Sequence, residues 1–156
     1  MTVPRKRIGV IGAGQATAAG KQHAYEVGRL LAEAGAVVVC GGLGGVMEAA
    51  AKGCAEAGGE VVGILPGASA EAANTYVTLP VVTNMGHARN VIIAHTAEAL
   101  IAIEGELGTL SEIAISLKLG KTVIQLNSWQ QLSGPLVAES PEQAVAMALK
   151  ALSGGR

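Results

Sequence analysis

Residues 7–15, RIGVIGAGQ, and residues 37–45, VVVCGGLGG, decide the fold, because each is a short β-branched run that breaks directly into glycine. Neither run alternates polar with apolar, so both faces of each strand are expected to be covered, as in a parallel sheet. Helical periodicity follows each of them. Residues 20–34 place Ala24, Val27, Gly28 and Leu31 on one stripe and stop at Gly35, and residues 46–57 carry small side chains that let a helix approach the sheet closely. The alternation continues outward: strand 60–65 broken by Pro66-Gly67, a loop over 68–74, a short strand over 76–82, helix 86–96, strand 99–103, helix 110–119 and strand 122–126. Ser140, Pro141 and Gln143 supply an N-cap, a first-turn proline and a capping-box partner for a last helix, which runs to about Leu152 and stops at Gly154. This βα repetition predicts a three-layer α/β sandwich with a mostly parallel sheet and helices on both faces.

The 156 residues suit one domain over 1–156. A chain of this size buries roughly 68–70% of its unfolded surface, so no disulfide or metal staple is needed. Half the residues are hydrophobic and 15% charged, which excludes a disordered tail. Phe is absent, and Trp129, Tyr25 and Tyr76 are the only aromatics, so Val, Ile, Leu and Ala must fill the core and no base-stacking platform for nucleic acid is available. The net charge of −1 argues the same way, the one basic cluster being Arg5-Lys6-Arg7 near the N-terminus. Cys40 and Cys54 have no metal-ligand spacing and read as buried small hydrophobes in a reducing compartment. The apolar run after Arg7 breaks at glycine too early for an export signal, and no stretch approaches the roughly 20 apolar residues of a membrane span. A cytoplasmic, soluble protein is expected.

In a parallel sheet the loops leaving the strand carboxyl ends collect along one edge, where ligands bind. Three such loops are glycine-rich: Gly12-Ala13-Gly14-Gln15, Gly41-Gly42-Leu43-Gly44-Gly45, and Gly105-Glu106-Leu107-Gly108-Thr109. Free N–H groups at helix N-termini bind phosphate or carboxylate, and four glycines in five residues exceed what one tight turn requires. A dinucleotide fingerprint fits poorly, since Thr17 stands where the third small residue belongs and Cys40 is followed by glycine rather than leading to an acidic ribose ligand. A P-loop is excluded, because no GxxxxGK[ST] occurs.

Thr109 and Glu112 have capping-box spacing, so local pattern reads them as the start of their helix, with Leu110, Ile113, Ala114 and Leu117 as its buried stripe. Arg89 opens a helix, where the macrodipole disfavours a cation; an anionic partner accounts for it as well as an exposed or interface position does. His23, His87 and His95 are too scattered for a metal site. Val91, Ile92 and Ile93 in succession make helix 86–96 apolar all round, which places it in a subunit interface or deep in the core.

GGLGGVMEAAAKG at 41–53, ARN at 88–90 and GELGTLSEIAISLKLGK at 105–121 resemble the family once labelled "possible lysine decarboxylase", which includes the LONELY GUY phosphoribohydrolases and the molybdenum cofactor carrier proteins. The resemblance runs from the first strand to about Leu126, and the ARN and GTLSEIA wording is nearer the short, carrier-like branch. It implies a Rossmann-like homodimer or higher homo-oligomer that binds a phosphorylated nucleotide or pterin at its glycine loops and needs no cofactor for chemistry. By motif alignment the catalytic Arg and Glu of the phosphoribohydrolases fall on Arg89 and Glu112. The PGGxGTxxE turn of those enzymes is altered here, with Glu104 for Pro and Glu106 for the second Gly.

Two functions follow from the resemblance. One is hydrolysis of the N-glycosidic bond of a purine nucleoside 5′-monophosphate, with amides of Gly44, Gly45, Gly108 and Thr109 on the phosphate, Glu112 stabilising the oxocarbenium-like transition state or activating water, and Arg89 positioning both. The other is a carrier that holds molybdenum cofactor or a nucleotide and breaks no bond. Lysine decarboxylation is rejected, since Lys52, Lys118 and Lys121 all read as surface residues flanking helix ends rather than as a pyridoxal phosphate lysine.

Overall fold

The computed structural model describes residues 3–153. Seven strands form one sheet in the order β4-β3-β2-β1-β5-β6-β7. They are β1 (Arg7–Gly12), β2 (Val37–Cys40), β3 (Val61–Leu65), β4 (Leu79–Val82), β5 (Ala99–Ile103), β6 (Thr122–Leu126) and β7 (Leu136–Val137). Every neighbouring pair is parallel. Sequence reasoning found β1 to β6 and missed β7, whose two residues are too few to carry a pattern.

Five helices cover the sheet: α1 (Ala18–Glu33), α2 (Val46–Glu56), α3 (Arg89–Thr96), α4 (Leu107–Lys118) and α5 (Pro141–Ser153). One core lies under α1, α2 and α5, where Ala24, Val27 and Leu31 meet Ile8, Val10, Val38 and Ile101. The other lies under α3 and α4, around Ile11, Ile93, Leu100, Ala102 and Ile113. This is the three-layer Rossmann-like architecture. No helix among the described residues is long and apolar enough to cross a membrane.

Helix α1 buries the expected stripe of Ala24, Val27, Gly28 and Leu31. The start of α5 has the expected N-cap, with Ser140 Oγ accepting from Gln143 N at 3.1 Å, but Gln143 Oε1 accepts from Glu139 N at 2.7 Å, one residue before the amide a capping box would use. The proposed stop at Gly154 lies outside the described residues.

Two expectations need correction, and a third finding adds to the charge argument. Helix 86–96 is a 3-10 turn at Gly86–Ala88 followed by the eight-residue α3, and it is not deep in the core all round, because Val91 is 41% exposed while Ile93 is buried. Lys121 is not a free surface residue: its Nζ donates to the carbonyls of Ala94, His95 and Ala97 at 2.5–2.8 Å and closes the C-terminus of α3. The basic N-terminal cluster is largely neutralised, with Arg5 paired to Glu60 and Arg7 to Glu98. Cys40 and Cys54 are buried and unbridged, and burial pushes both thiols up to about 11.

Candidate functional site

Strand order reverses between β1 and β5, so the connections on either side of that junction diverge and leave a crevice at the strand carboxyl ends. A cleft of about 360 Å³ occupies it. Its wall is built from the β1–α1 loop, Gly41 after β2, the start of α3 and the first two turns of α4.

Of the residues singled out from sequence, Gly12, Gly14, Gly41, Arg89, Gly108, Thr109 and Glu112 line this cleft; Gly42, Gly44, Gly45 and Gly105 do not. Packing accounts for much of the tetraglycine stretch. A Cβ on Gly41 would press on the Arg89 guanidinium and Met47 Sδ, and one on Gly42 would meet Leu65 Cδ2. Gly45 (φ +64°) lies flat on the Ala13 and Gly14 carbonyls, and Val46 N donates to Ala13 O at 2.9 Å, which docks the second glycine loop on the first. Counting glycines therefore overstated the anion argument. What remains is open space: a Cβ on Gly14 would meet nothing within 4 Å, and Gly44 and Gly108 have only distant neighbours at 3.7 and 4.0 Å.

Helix α4 begins earlier than its sequence pattern suggests. Its N-cap is Glu106, which makes no side-chain capping bond, and Leu110 N is already bonded to Glu106 O. Thr109 and Glu112 are thus not a capping box; both lie within the helix on its buried face with Ile113 and Ser116, while Ala114 is exposed and Leu110 and Leu117 are half-buried. The face rotates because Glu104 (φ +54°) and Gly105 (φ +103°) turn the chain sharply and start the helix at Leu107. The first-turn amides of Gly108 and Thr109 consequently open onto the cleft without a side-chain cap, a favourable place for an anion.

Arg89 is 8% exposed and braced on three sides. Its Nε donates to Ile64 O at 2.9 Å, one terminal nitrogen donates to Gly41 O at 3.4 Å and the other to Asn90 Oδ1. Three of the five N–H groups that a guanidinium carries are engaged, so two remain for a ligand. Asn90, which sequence reasoning passed over, is 5% exposed and donates from Nδ2 to Ser111 Oγ at 3.2 Å, linking α3 to α4 behind the arginine. Its place beside Arg89 in the ARN motif was the available signal. Gln15, Met47 and His87 complete the rim.

Glu112 is 7% exposed, and its carboxyl forms neither a hydrogen bond nor an ion pair with a described residue. Burial pushes it up to about 7, with the nearby Arg89 charge pulling the other way. Burial likewise pulls Arg89 below its usual value against the attraction of Glu112. A carboxyl that changes charge near neutral pH can donate to an oxyanion, accept from a ring N–H or move a proton. The two altered turn residues separate: Glu106 is exposed and lines the cleft, whereas Glu104 turns aside to α1. Among the described residues no group of three His, Cys, Asp or Glu side chains lies together as a metal site requires.

The charge state of Glu112 has a measurable consequence. Between pH 4.5, where it ionises ordinarily, and about 7, the folded protein holds a proton that the unfolded chain has lost. Stability therefore falls as pH rises through that window, and above it this group causes no further loss. Glu112→Gln removes the dependence, and the variant is expected to be more stable than the native protein by about 2–3 kcal/mol above neutrality. The difference should vanish by about pH 4, as urea denaturation at several pH values will read. A difference constant across that range would mean that Glu112 titrates normally.

Residues 5–152 match the model of the SLOG cluster4 family. The chain belongs to the SLOG cluster4 family. An uncharacterised protein of Archaeoglobus fulgidus is 51% identical over 139 residues, covering 89% of this chain and 91% of its own length. Two solved structures have the same fold over nearly the whole of this chain. The molybdenum cofactor binding protein of the phototrophic bacterium Rippkaea orientalis is 35% identical with a TM-score of 0.92, over 97% of this chain and 99% of that one. The Moco carrier protein of Chlamydomonas reinhardtii is 31% identical with a TM-score of 0.88, again over 97% and 99%.

Proposed function

We propose that this protein binds a phosphorylated small molecule of the molybdenum cofactor or nucleotide type and holds it without breaking a bond. The observation that carries this reading is the convergence on one cleft of the uncapped α4 N-terminus, the open Gly14 and a buried arginine with unspent donors. Its support from outside the chain is the likeness to proteins described as binding or carrying molybdenum cofactor. In this reading the amides of Gly108 and Thr109, with those of Gly14 and Gly44 close by, receive the phosphate. Arg89 adds charge-assisted donors, and Glu112 presents a protonated carboxyl to an oxyanion or an ionised one to a ring N–H. The cargo brings its own metal; the described residues supply a walled seat and no metal-ligand cluster.

A second reading, phosphoribohydrolase action on a purine nucleoside 5′-monophosphate, is favoured by one feature, the carboxyl of Glu112 poised near neutrality beside Arg89. Such a group serves oxocarbenium stabilisation or water activation. A homodimer is part of either reading, with the exposed Val91 of α3 and Leu107 of α4 as candidates for its interface. Native mass spectrometry of protein isolated under gentle conditions, paired with incubation with AMP and an assay for free adenine, separates the readings. Retained phosphorylated pterin or nucleotide with no release of base supports the carrier. Steady release of base that Glu112→Ala abolishes supports the hydrolase, and a bare mass with no release retires both.

A further inference from the structure

Glu104 has a left-handed backbone and is held through both its main chain and its side chain. Its backbone N–H donates to Asn127 O at 3.1 Å and its carbonyl accepts from Ser128 Oγ at 2.6 Å. Its carboxylate accepts from Thr17 N at 3.1 Å and from Thr17 Oγ1 at 2.5 Å. Thr17 is the N-cap of α1, and that helix carries no acidic residue in its own first turn. Gly20 in the same turn is buried against the carboxylate, and a Cβ there would press on Glu104 Cδ and both carboxylate oxygens. A φ of +54° at a residue with a side chain costs free energy and persists only where the surroundings over-determine it. Here a β5–α4 loop residue delivers a negative charge to the N-terminus of a different helix, and that helix leaves room to receive it.

The N-terminus of the first helix is where a doubly wound sheet seats the pyrophosphate of a dinucleotide. In this chain the Glu104 carboxylate already sits there, on Thr17 N and Thr17 Oγ1. We propose that Glu104 is a specificity-determining residue, an internal anion that occupies the N-terminus of α1, excludes pyrophosphate-bridged ligands from it, and confines the ligand's phosphate to the neighbouring α4 end of the cleft. The second half of this statement rests on the phosphate-binding reading above; the occupation of α1 does not. It also accounts for the failed dinucleotide fingerprint, since Thr17 replaces a small residue with one whose hydroxyl binds the carboxylate.

The test titrates the protein with inorganic phosphate and inorganic pyrophosphate by calorimetry, and follows the backbone amides of Thr17, Ala18, Gly108 and Thr109 by NMR. In the native protein neither anion should move the Thr17 and Ala18 amides. Glu104→Gly relieves the backbone and empties the seat, so pyrophosphate should then shift both amides and bind about tenfold more tightly. Glu104→Asn, whose short side chain tolerates a left-handed backbone, should do the same and serves if the glycine variant is poorly folded. Glu104→Gln fills the same space but loses the negative charge and one of the two acceptor oxygens, so it should gain only part of what the glycine variant gains. Thr17 and Ala18 amides that respond to pyrophosphate in the native protein, Gly and Asn variants that gain nothing, or a Gln variant that gains as much as Gly would each overturn the proposal. If Thr17 and Ala18 respond in the Gly variant while Gly108 and Thr109 respond in none of the proteins, the role of Glu104 at α1 stands and the phosphate-binding reading falls.

Discussion

Gly28→Ala is expected to destabilise the protein by about 3 kcal/mol or more, the largest loss we predict for a single methyl group. Helices α1 and α2 touch backbone to backbone at two points: a Cβ on Gly28 would overlap the Ala50 carbonyl, and one on Gly53 would overlap the Tyr25 carbonyl. Neither obstacle is a side-chain tip that can swing aside, so the helices must separate. For a chain of this length the loss corresponds to roughly 6–12 °C in melting temperature. Because separation forced by one methyl accommodates the other, Gly28→Ala and Gly53→Ala should combine to less than the sum of their separate effects. Urea and thermal denaturation of the single and double variants check both statements, and a loss under about 1 kcal/mol for Gly28→Ala would show that the helices have slack. The site should feel it too, because α2 carries Met47 into the cleft wall.

Arg89→Ala is expected to give the largest loss of ligand binding, at least about 30-fold for inorganic phosphate, or ~2 kcal/mol. The truncation removes the two donors left for a ligand, strips Ile64 O and Gly41 O of their partner, and leaves Glu112 without the charge that favours its ionised form. Stability should fall by about 2–3 kcal/mol from the orphaned carbonyls. Arg89→Lys retains a charge without the fork and should recover only part of the affinity. Calorimetric titration beside urea denaturation separates the two effects. Phosphate affinity within about twofold of the native value in a destabilised Arg89→Ala protein would mark the arginine as a brace for the β2 and β3 ends and nothing more.

These two residues also mark where sequence reading works and where it stops. Gly28 was legible as part of the stripe with Ala24, Val27 and Leu31, but the small residues of the next helix were read as an approach to the sheet, and the contact they make is with α1. Strands β1, β2, β5 and β6 were legible for a related reason, since an apolar run of four to six residues between glycine turns admits few other readings. Arg89 was legible as an oddity at a helix start and, through the family resemblance, as a site residue, but not as a buried one. That it is buried, and that Ile64, Gly41 and Asn90 bond to it, depends on strands and loops far from it in the chain. Thr109 and Glu112 misled, because capping-box spacing is a local pattern and the start of α4 is settled by the left-handed turn at Glu104 and Gly105.

What the sequence determined by itself is the order of elements, the parallel sheet and the edge on which three glycine loops gather, because these follow from periodicity and composition over short windows. What only the tertiary structure decided is how charge is distributed along that edge. Glu106 lines the cleft, Glu112 is buried in it, and Glu104 is spent on α1. Three carboxylates within nine residues of sequence look alike as letters. Their solvation, and so their charge and purpose, is set by partners brought from elsewhere in the fold.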